Sequence, residues 1–247
     1  MATYNGERFI QRQLDTILEQ LGPDDELIVS DDSSNDGTQG ILEKNHNSRM
    51  LILHRSAARS PVFNFEHALK HAKGDVIALA DQDDIWRGNK LLLVREKFRG
   101  KTGLPHLVLF DGQVINDNEQ IIDESIFDIK RSRTGFFRNL YDSSYMGCCL
   151  AFTRKLLEIA LPFPRKILMH DMWIAMLAEL CGSIELVPEI TISYRKHSTS
   201  MTSFSRRFEP LRQVSERTHM FFCLMARVLE LRILHPNRLQ AITKGTS

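Results

Sequence analysis

This chain is short of most features that would commit it to a specialised class. It holds four cysteines in 247 residues, Cys148, Cys149, Cys181 and Cys223, and no Cys-x-x-Cys pair. That pattern excludes a zinc ribbon and a disulfide framework, and reduced thiols of a cytosolic compartment are expected. Net charge is only +1, which argues against a dedicated nucleic-acid binder. No apolar run reaches the ~18 residues of a membrane-spanning helix, and no signal peptide is read at the start. Internal repeats and low-complexity segments are missing. What remains is ordinary for a globular protein, 43% hydrophobic and 26% charged. The length allows one large domain or two small ones.

Against that plain background one run stands out. Val76-Ile77-Ala78-Leu79-Ala80 leads directly into Asp81, Asp83 and Asp84. The apolar part reads as a strand buried on both faces, as in a parallel sheet. Asp81 and Asp83 lie two positions apart, so an extended backbone points both to one side. Crowded carboxylates are tolerable where a hard divalent cation and a ligand's phosphates share the site. An acidic turn that caps the next helix is the plainer alternative.

The first half alternates strand-like and helix-like segments. Leu27-Ile28-Val29 and Leu51-Ile52-Leu53 read as strands, and Phe9 to Leu21 and Phe65 to Ala72 carry helical spacing. Asn89 to Phe98 is a further predicted helix, with Gly22-Pro23 and Asn35-Asp36-Gly37 as breakers. Such alternation predicts a mainly parallel α/β sheet, where ligands bind beyond the carboxyl ends of strands. Three predicted strands end in polar groups there: Thr3-Tyr4-Asn5, Asp31-Asp32 and the acid run. The second half is less regular. A hairpin is expected about Asn116-Asp117-Asn118, and Asp171 is placed to cap an apolar helix from Met172 to Leu180. Ile184 to Val187 and Ile190 to Tyr194 read as two short strands. Arg131 to Tyr145 shows no pattern.

Charge is unevenly spread. Residues 205–247 hold eight Arg and Lys against three Glu. This basic tail carries Met220 to Met225, Val228, Leu229, Leu231, Ile233 and Leu234, an amphipathic helical pattern. It suits either a helix packed on the core or one lying on an anionic membrane surface. The division expected is residues 1–204 as one domain, its first strand cut short, and 205–247 as a helical tail.

Four segments in order now carry a resemblance: Met-Ala-Thr-Tyr-Asn-Gly-Glu, Val-Ser-Asp-Asp-Ser-Ser-Asn-Asp-Gly-Thr, Ala-Asp-Gln-Asp-Asp-Ile-Trp and His-Asp-Met-Trp. Together they resemble the family 2 glycosyltransferases, and most of all the bacterial rhamnosyltransferase-like members, over roughly residues 1 to 200. The resemblance implies a nucleotide-diphosphosugar transferase fold (GT-A), a Rossmann-like, mostly parallel sheet flanked by helices. It implies that Ala2, Thr3 and Tyr4 line the nucleoside and that Asp32 accepts a hydrogen bond from the base. Asp81 would meet the ribose or a water beside it, and Asp83 would ligate Mn²⁺ or Mg²⁺. Asp171 would be the general base of an inverting transfer. His170 would line the acceptor site, and Trp86 would form either the floor of the sugar site or, equally, a structural aromatic. Asn64 and Lys90 are weaker donor-site candidates, and Tyr194-Arg195-Lys196-His197 would close over the diphosphate.

Two departures are visible. Family members carry an apolar run before Ala-Thr-Tyr-Asn, whereas Met1 stands inside that segment here, so neighbouring strands are expected to keep unpaired backbone groups. Ser33 stands where the family often has glycine. The expected activity is a metal-dependent transfer from dTDP-rhamnose or a UDP-sugar to a glycan or lipid-linked glycan of a bacterial surface polysaccharide. It would take place in the cytoplasm, with peripheral contact at the inner face of the plasma membrane. A sugar-nucleotide nucleotidyltransferase, an Asp-x-Asp phosphohydrolase and an inactive nucleotide- or glycan-binding remnant are the alternatives. The first would need a Gly-rich, cation-bearing phosphate loop, which Asn5-Gly6-Glu7-Arg8 is not.

Overall fold

A computed structural model describes residues 1–55, 59–196 and 210–234. In the first half β1 (Ala2–Thr3), α1 (Ile10–Leu18), β2 (Leu27–Asp31), α2 (Thr38–Asn45), β3 (Met50–His54) and α3 (Pro61–His71) alternate, followed by β4 (Val76–Ala78), β5 (Ile85–Trp86) and α4 (Lys90–Phe98). The second half holds β6 (His106–Ile115), β7 (Ile121–Asp123), α5 (Ile126–Lys130), α6 (Phe136–Tyr141), β8 (Leu150–Thr153), α7 (Arg154–Ala160), α8 (His170–Cys181), β9 (Ser183–Arg195) and α9 (Pro210–Leu234).

Local chemistry explains many of these bounds. Ile10, Leu14 and Ile17 recur at helical spacing and are all buried, so α1 lays one stripe on the sheet. Pro61 opens α3 at a position that needs no N–H, and the Ser60 hydroxyl accepts from Phe63 N. Thr153 and Ser125 cap α7 and α5 in the same way.

The strands form two sheets. β1, β2 and β3 run parallel, while the second sheet has the order β4-β8-β6-β9-β5, with β7 paired to β6. β6 is its axis, buried along all ten residues and parallel to β9. The acid-bearing strand β4 instead pairs antiparallel with β8. A single parallel bridge from Ala2 to Asp81 joins the two sheets. Below it lies a cavity of about 550 Å³ lined by apolar faces of β4, α3 and α4.

Two expectations are corrected here. The two short strands predicted before residue 195 are one 13-residue strand, β9. Its register with β6 skips from Val187 to Ile190, so Pro188 sits in a bulge, where a missing N–H costs no ladder bond. The patternless stretch 131–145 contains α6, which buries Asn139 rather than an apolar residue. No helix among the described residues is long and apolar enough to cross a membrane. Helix α9 packs on α8 through Met220, Leu224 and Leu231. Arg227 clamps it down, donating to the carbonyls of Ile159, Leu161 and Pro162.

Candidate active site

The polar ends of β1, β2 and β4 converge on one cavity of about 1170 Å³. Its wall includes Ala2, Thr3, Tyr4, Asp32, Asp81, Asp83 and Asp171 from among the residues that the sequence nominated for the site. Two neighbouring acids divide the labour at the end of β2. Asp31 is wholly buried and structural: it accepts from the hydroxyls of Thr3 and Ser34, from Ser34 N and from Gln39. Asp32 reaches the cavity, held by Ser60 N at 3.1 Å and by the Arg55 guanidinium at 3.5 Å. Ser33, the next residue, takes φ +60°, the left-handed region that favours glycine, and its hydroxyl donates to Arg55 O at 2.6 Å. The Thr3 hydroxyl turns towards Asp31.

The acid loop after β4 is tied to this region by Gln82. Its side-chain amide accepts from Tyr4 N at 2.9 Å and donates to Tyr4 O at 3.0 Å. Gln13 adds a bond to Asp81 O. Asp81 is crowded: burial, then the charges of Asp83 and Asp171, push its carboxyl up to about 7. Asp84 points the other way. It is fully buried, accepts from Arg195 N at 3.0 Å and leaves its second oxygen without a hydrogen-bond partner.

Asp171 lies across the cavity. The predicted cap is corrected: α8 begins at His170 with Met169 as its N-cap residue, so Asp171 sits inside the first turn. One carboxylate oxygen accepts from Met172 N at 2.6 Å and the other from Gly147 N at 3.0 Å. Each oxygen keeps acceptor capacity for a further hydrogen bond. His170 is buried and stacked on Phe65 with ring centroids 4.0 Å apart. Neither ring nitrogen has a partner, and burial lowers its pKa. It therefore offers a neutral imidazole to the cavity.

The family model for glycosyl transferase family 2 matches residues 1–159. The chain belongs to glycosyl transferase family 2. Among curated relatives of this family 2 chain is an Escherichia coli protein described as a UDP-Glc:alpha-D-GlcNAc-diphosphoundecaprenol beta-1,3-glucosyltransferase, 37% identical over 91 residues, which are 37% of this chain and 36% of that protein. A Shigella flexneri dTDP-rhamnosyl transferase is 37% identical over 98 residues, 37% of this chain and 34% of the relative. The matched stretch thus spans about a third of either. The fold is shared with S. aureus TarS 1-349, solved in complex with UDP-GlcNAc, at TM-score 0.67 and 18% identity over 98% of this chain and 69% of that one.

Other residues of the family 2 domain fall elsewhere than expected. Trp86 is no sugar platform. It is buried in the core beneath the acid loop, with the Lys90 ammonium 4.6 Å from its ring centroid. Lys90 is equally sealed off, donating to Cys148 O at 2.7 Å while burial lowers its pKa. Asn64 does line the cavity, with its amide nitrogen bonded to Thr3 O. Arg195 lies behind the acid loop instead of over a diphosphate. Its Nε donates to Asp83 O at 2.9 Å, and its other nitrogens reach the carbonyls of Asn116 and Asp117 and the Glu119 carboxylate. Tyr194 lines the cavity, and His197 lies outside the described residues. The cavity's cations come instead from Arg8, Arg59, Lys130 and Arg217, which no sequence motif marks.

Proposed function

We propose that this chain is an inverting, metal-dependent glycosyltransferase of bacterial surface polysaccharide synthesis. It would carry a sugar from a nucleotide-diphosphate donor to a glycan or lipid-linked glycan. One observation carries this reading: Asp32, Asp81 and Asp83 share a single cavity with Asp171, whose charge acts on Asp81. On this reading Ala2, Thr3 and Tyr4 flank the nucleoside and Asp32 accepts the ring N–H of the base. Uracil and thymine both carry that N–H, which suits a UDP- or dTDP-linked donor. The names of the E. coli and S. flexneri relatives specify UDP-Glc and a dTDP-rhamnosyl activity.

The donor chemistry fits Mg²⁺ or Mn²⁺ better than a softer ion. Among the described residues Asp81, Asp84 and Cys148 bring ligand atoms within 4.8 Å of one another. Cys148, however, hydrogen-bonds to Cys149 and is buried, which holds it firmly as a thiol. Asp84 has one oxygen bonded to Arg195 N and does not line the cavity. The carboxylates of the acid loop that line it are Asp81 and Asp83, hard oxygen donors whose mutual repulsion a divalent cation would relieve. Asp83 would hold the ion and Asp81 the ribose side. When bound, the cation neutralises the departing diphosphate. Asp171 takes the proton from the acceptor hydroxyl as that oxygen attacks the anomeric carbon. Arg8, Arg59 and Arg217 add positive charge, and His170 hydrogen-bonds an acceptor hydroxyl.

The test is a thermal melt of the purified protein with UDP, dTDP or GDP, each with and without Mn²⁺. A ligand of the native state raises the midpoint by mass action. A shift for UDP or dTDP that requires Mn²⁺ and is lost in Asp83→Ala is expected. No shift with any nucleotide, from a cooperatively folded sample, overturns the donor site.

A further inference from the structure

Helix α9 has two apolar faces, and only one is covered. At ~100° per residue, Met220, Leu224 and Leu231 cluster on the side packed against α8. Phe222, Leu229 and Ile233 fall within roughly 40° of one another on the opposite side, and all three are exposed, Phe222 by 64%. A chain of rings carries this patch onto α6: Phe222 to Phe221 at 5.8 Å, Phe221 to Phe136 at 6.3 Å and Phe136 to Phe137 at 5.2 Å between centroids. Phe137 is 77% exposed and Tyr141, one turn along, 81%. Exposed aromatic clusters of this kind mark interaction surfaces.

The charge on the α6 side of the patch is positive. Residues 130–141 hold Lys130, Arg131, Arg133 and Arg138 and no acid, the following Asp142 pairs with Arg133 at 3.8 Å, and on α9 Glu230 pairs with Arg227 at 3.2 Å. The same segment borders the active cavity, whose wall takes in Lys130, Ser143 and Tyr145 together with Arg217 of α9. Aromatic anchors set among arginines suit the headgroup layer of an anionic bilayer. A second copy of this chain would instead bring the same cations face to face.

We propose that the α6–α9 face docks on an anionic phospholipid surface and turns the acceptor end of the active cavity towards the membrane. An acceptor held by a lipid anchor would then reach Asp171 without leaving the bilayer. Only this last consequence rests on the transferase reading; docking itself needs neither donor nor turnover.

The experiment is co-sedimentation of the full chain with phosphatidylcholine vesicles, with and without phosphatidylglycerol. Binding is expected only with phosphatidylglycerol and should fall as salt rises. Phe137→Ser with Phe222→Ser should weaken it by about tenfold or more, since two aromatic anchors are lost. Arg138→Glu should weaken it by roughly fivefold through charge alone. Both variants alter exposed side chains and should melt as the parent does. Failure of the parent to bind, or undiminished binding by both variants, overturns the proposal. So does a dimer in solution that the phenylalanine substitutions abolish, because the face would then belong to a second copy. A missing nucleotide-dependent thermal shift with intact vesicle binding would strike the transferase reading alone.

Discussion

The two walls of the active cavity are built on different plans. The wall proposed for the donor uses short local segments, residues 2–5, Asp32 and 81–83, cross-linked by bonds such as those between Gln82 and Tyr4. The acceptor wall draws single residues from scattered places: Lys130, Ser143, Tyr145, Gly147, Asp171 and Arg217. Contiguous motifs make a site whose geometry follows from local backbone and a few reciprocal bonds. Scattered residues make a site whose geometry depends on how α5, α6, α8 and α9 pack. The first plan suits a constant ligand part, such as a nucleotide diphosphate, and the second a part that varies.

Separating the functions of the two walls should give the largest effect. Asp171→Asn keeps an oxygen for Gly147 N but loses the base, so kcat should fall by about 10³-fold. Nucleotide affinity on the opposite wall should stay within about threefold, measured by titration of UDP or dTDP with Mn²⁺. A comparable loss of nucleotide affinity would show the walls to be one unit. A smaller effect is expected from Gln82→Ala, which removes two bonds at roughly 1 kcal/mol each. Donor KM should rise by about tenfold, and kcat with saturating donor should change little.

The smallest effect is on stability. Asp81 is held at about 7 by burial and by the charges of Asp83 and Asp171, above the unfolded carboxyl near 4. Between those values the folded state binds more protons than the unfolded one, so this group's contribution is full below pH 4 and is lost as pH rises to 7. The metal-free Asp81→Asn protein should therefore gain stability relative to its parent across that window, with Asp84, raised in the same direction, left in both. Parallel melts from pH 4 to 8 measure the difference. A constant difference would remove the crowding that the cation is proposed to relieve.

The donor wall was largely legible in the chain because its signals are local. A run of apolar residues ending in polar ones marks a strand end, and three such ends were found before any fold was known. Which acid of a pair faces the ligand was less evident. Asp32 is singled out by resemblance, and the two-residue spacing from Asp81 favours Asp83 over Asp84 only where the backbone is extended, whereas residues 82–83 form a turn. That choice is made by Arg195 N, 111 residues away, which takes up the Asp84 carboxylate. Trp86 and Lys90 misled for the same reason: the sequence places them beside the site, and the turn into α4 buries them under it. The arginines of the cavity were invisible because each stands alone in its own segment. Asp171 is marked by the sequence, but its helix starts two residues earlier than a capping aspartate would place it.

The side chain of Gln82 has a wider consequence. By offering both an acceptor and a donor to Tyr4 it does what an adjoining strand would do, supplying a rung between segments 78 positions apart. Gly6 lies directly beneath it, and a Cβ there would collide with the Gln82 carboxamide. Positions 6 and 82 are thus one constraint written twice. A methyl group can enter the first only if the Gln82 carboxamide shifts, and that shift gives up its bonds to Tyr4. Lineages that drift at either position must move through both.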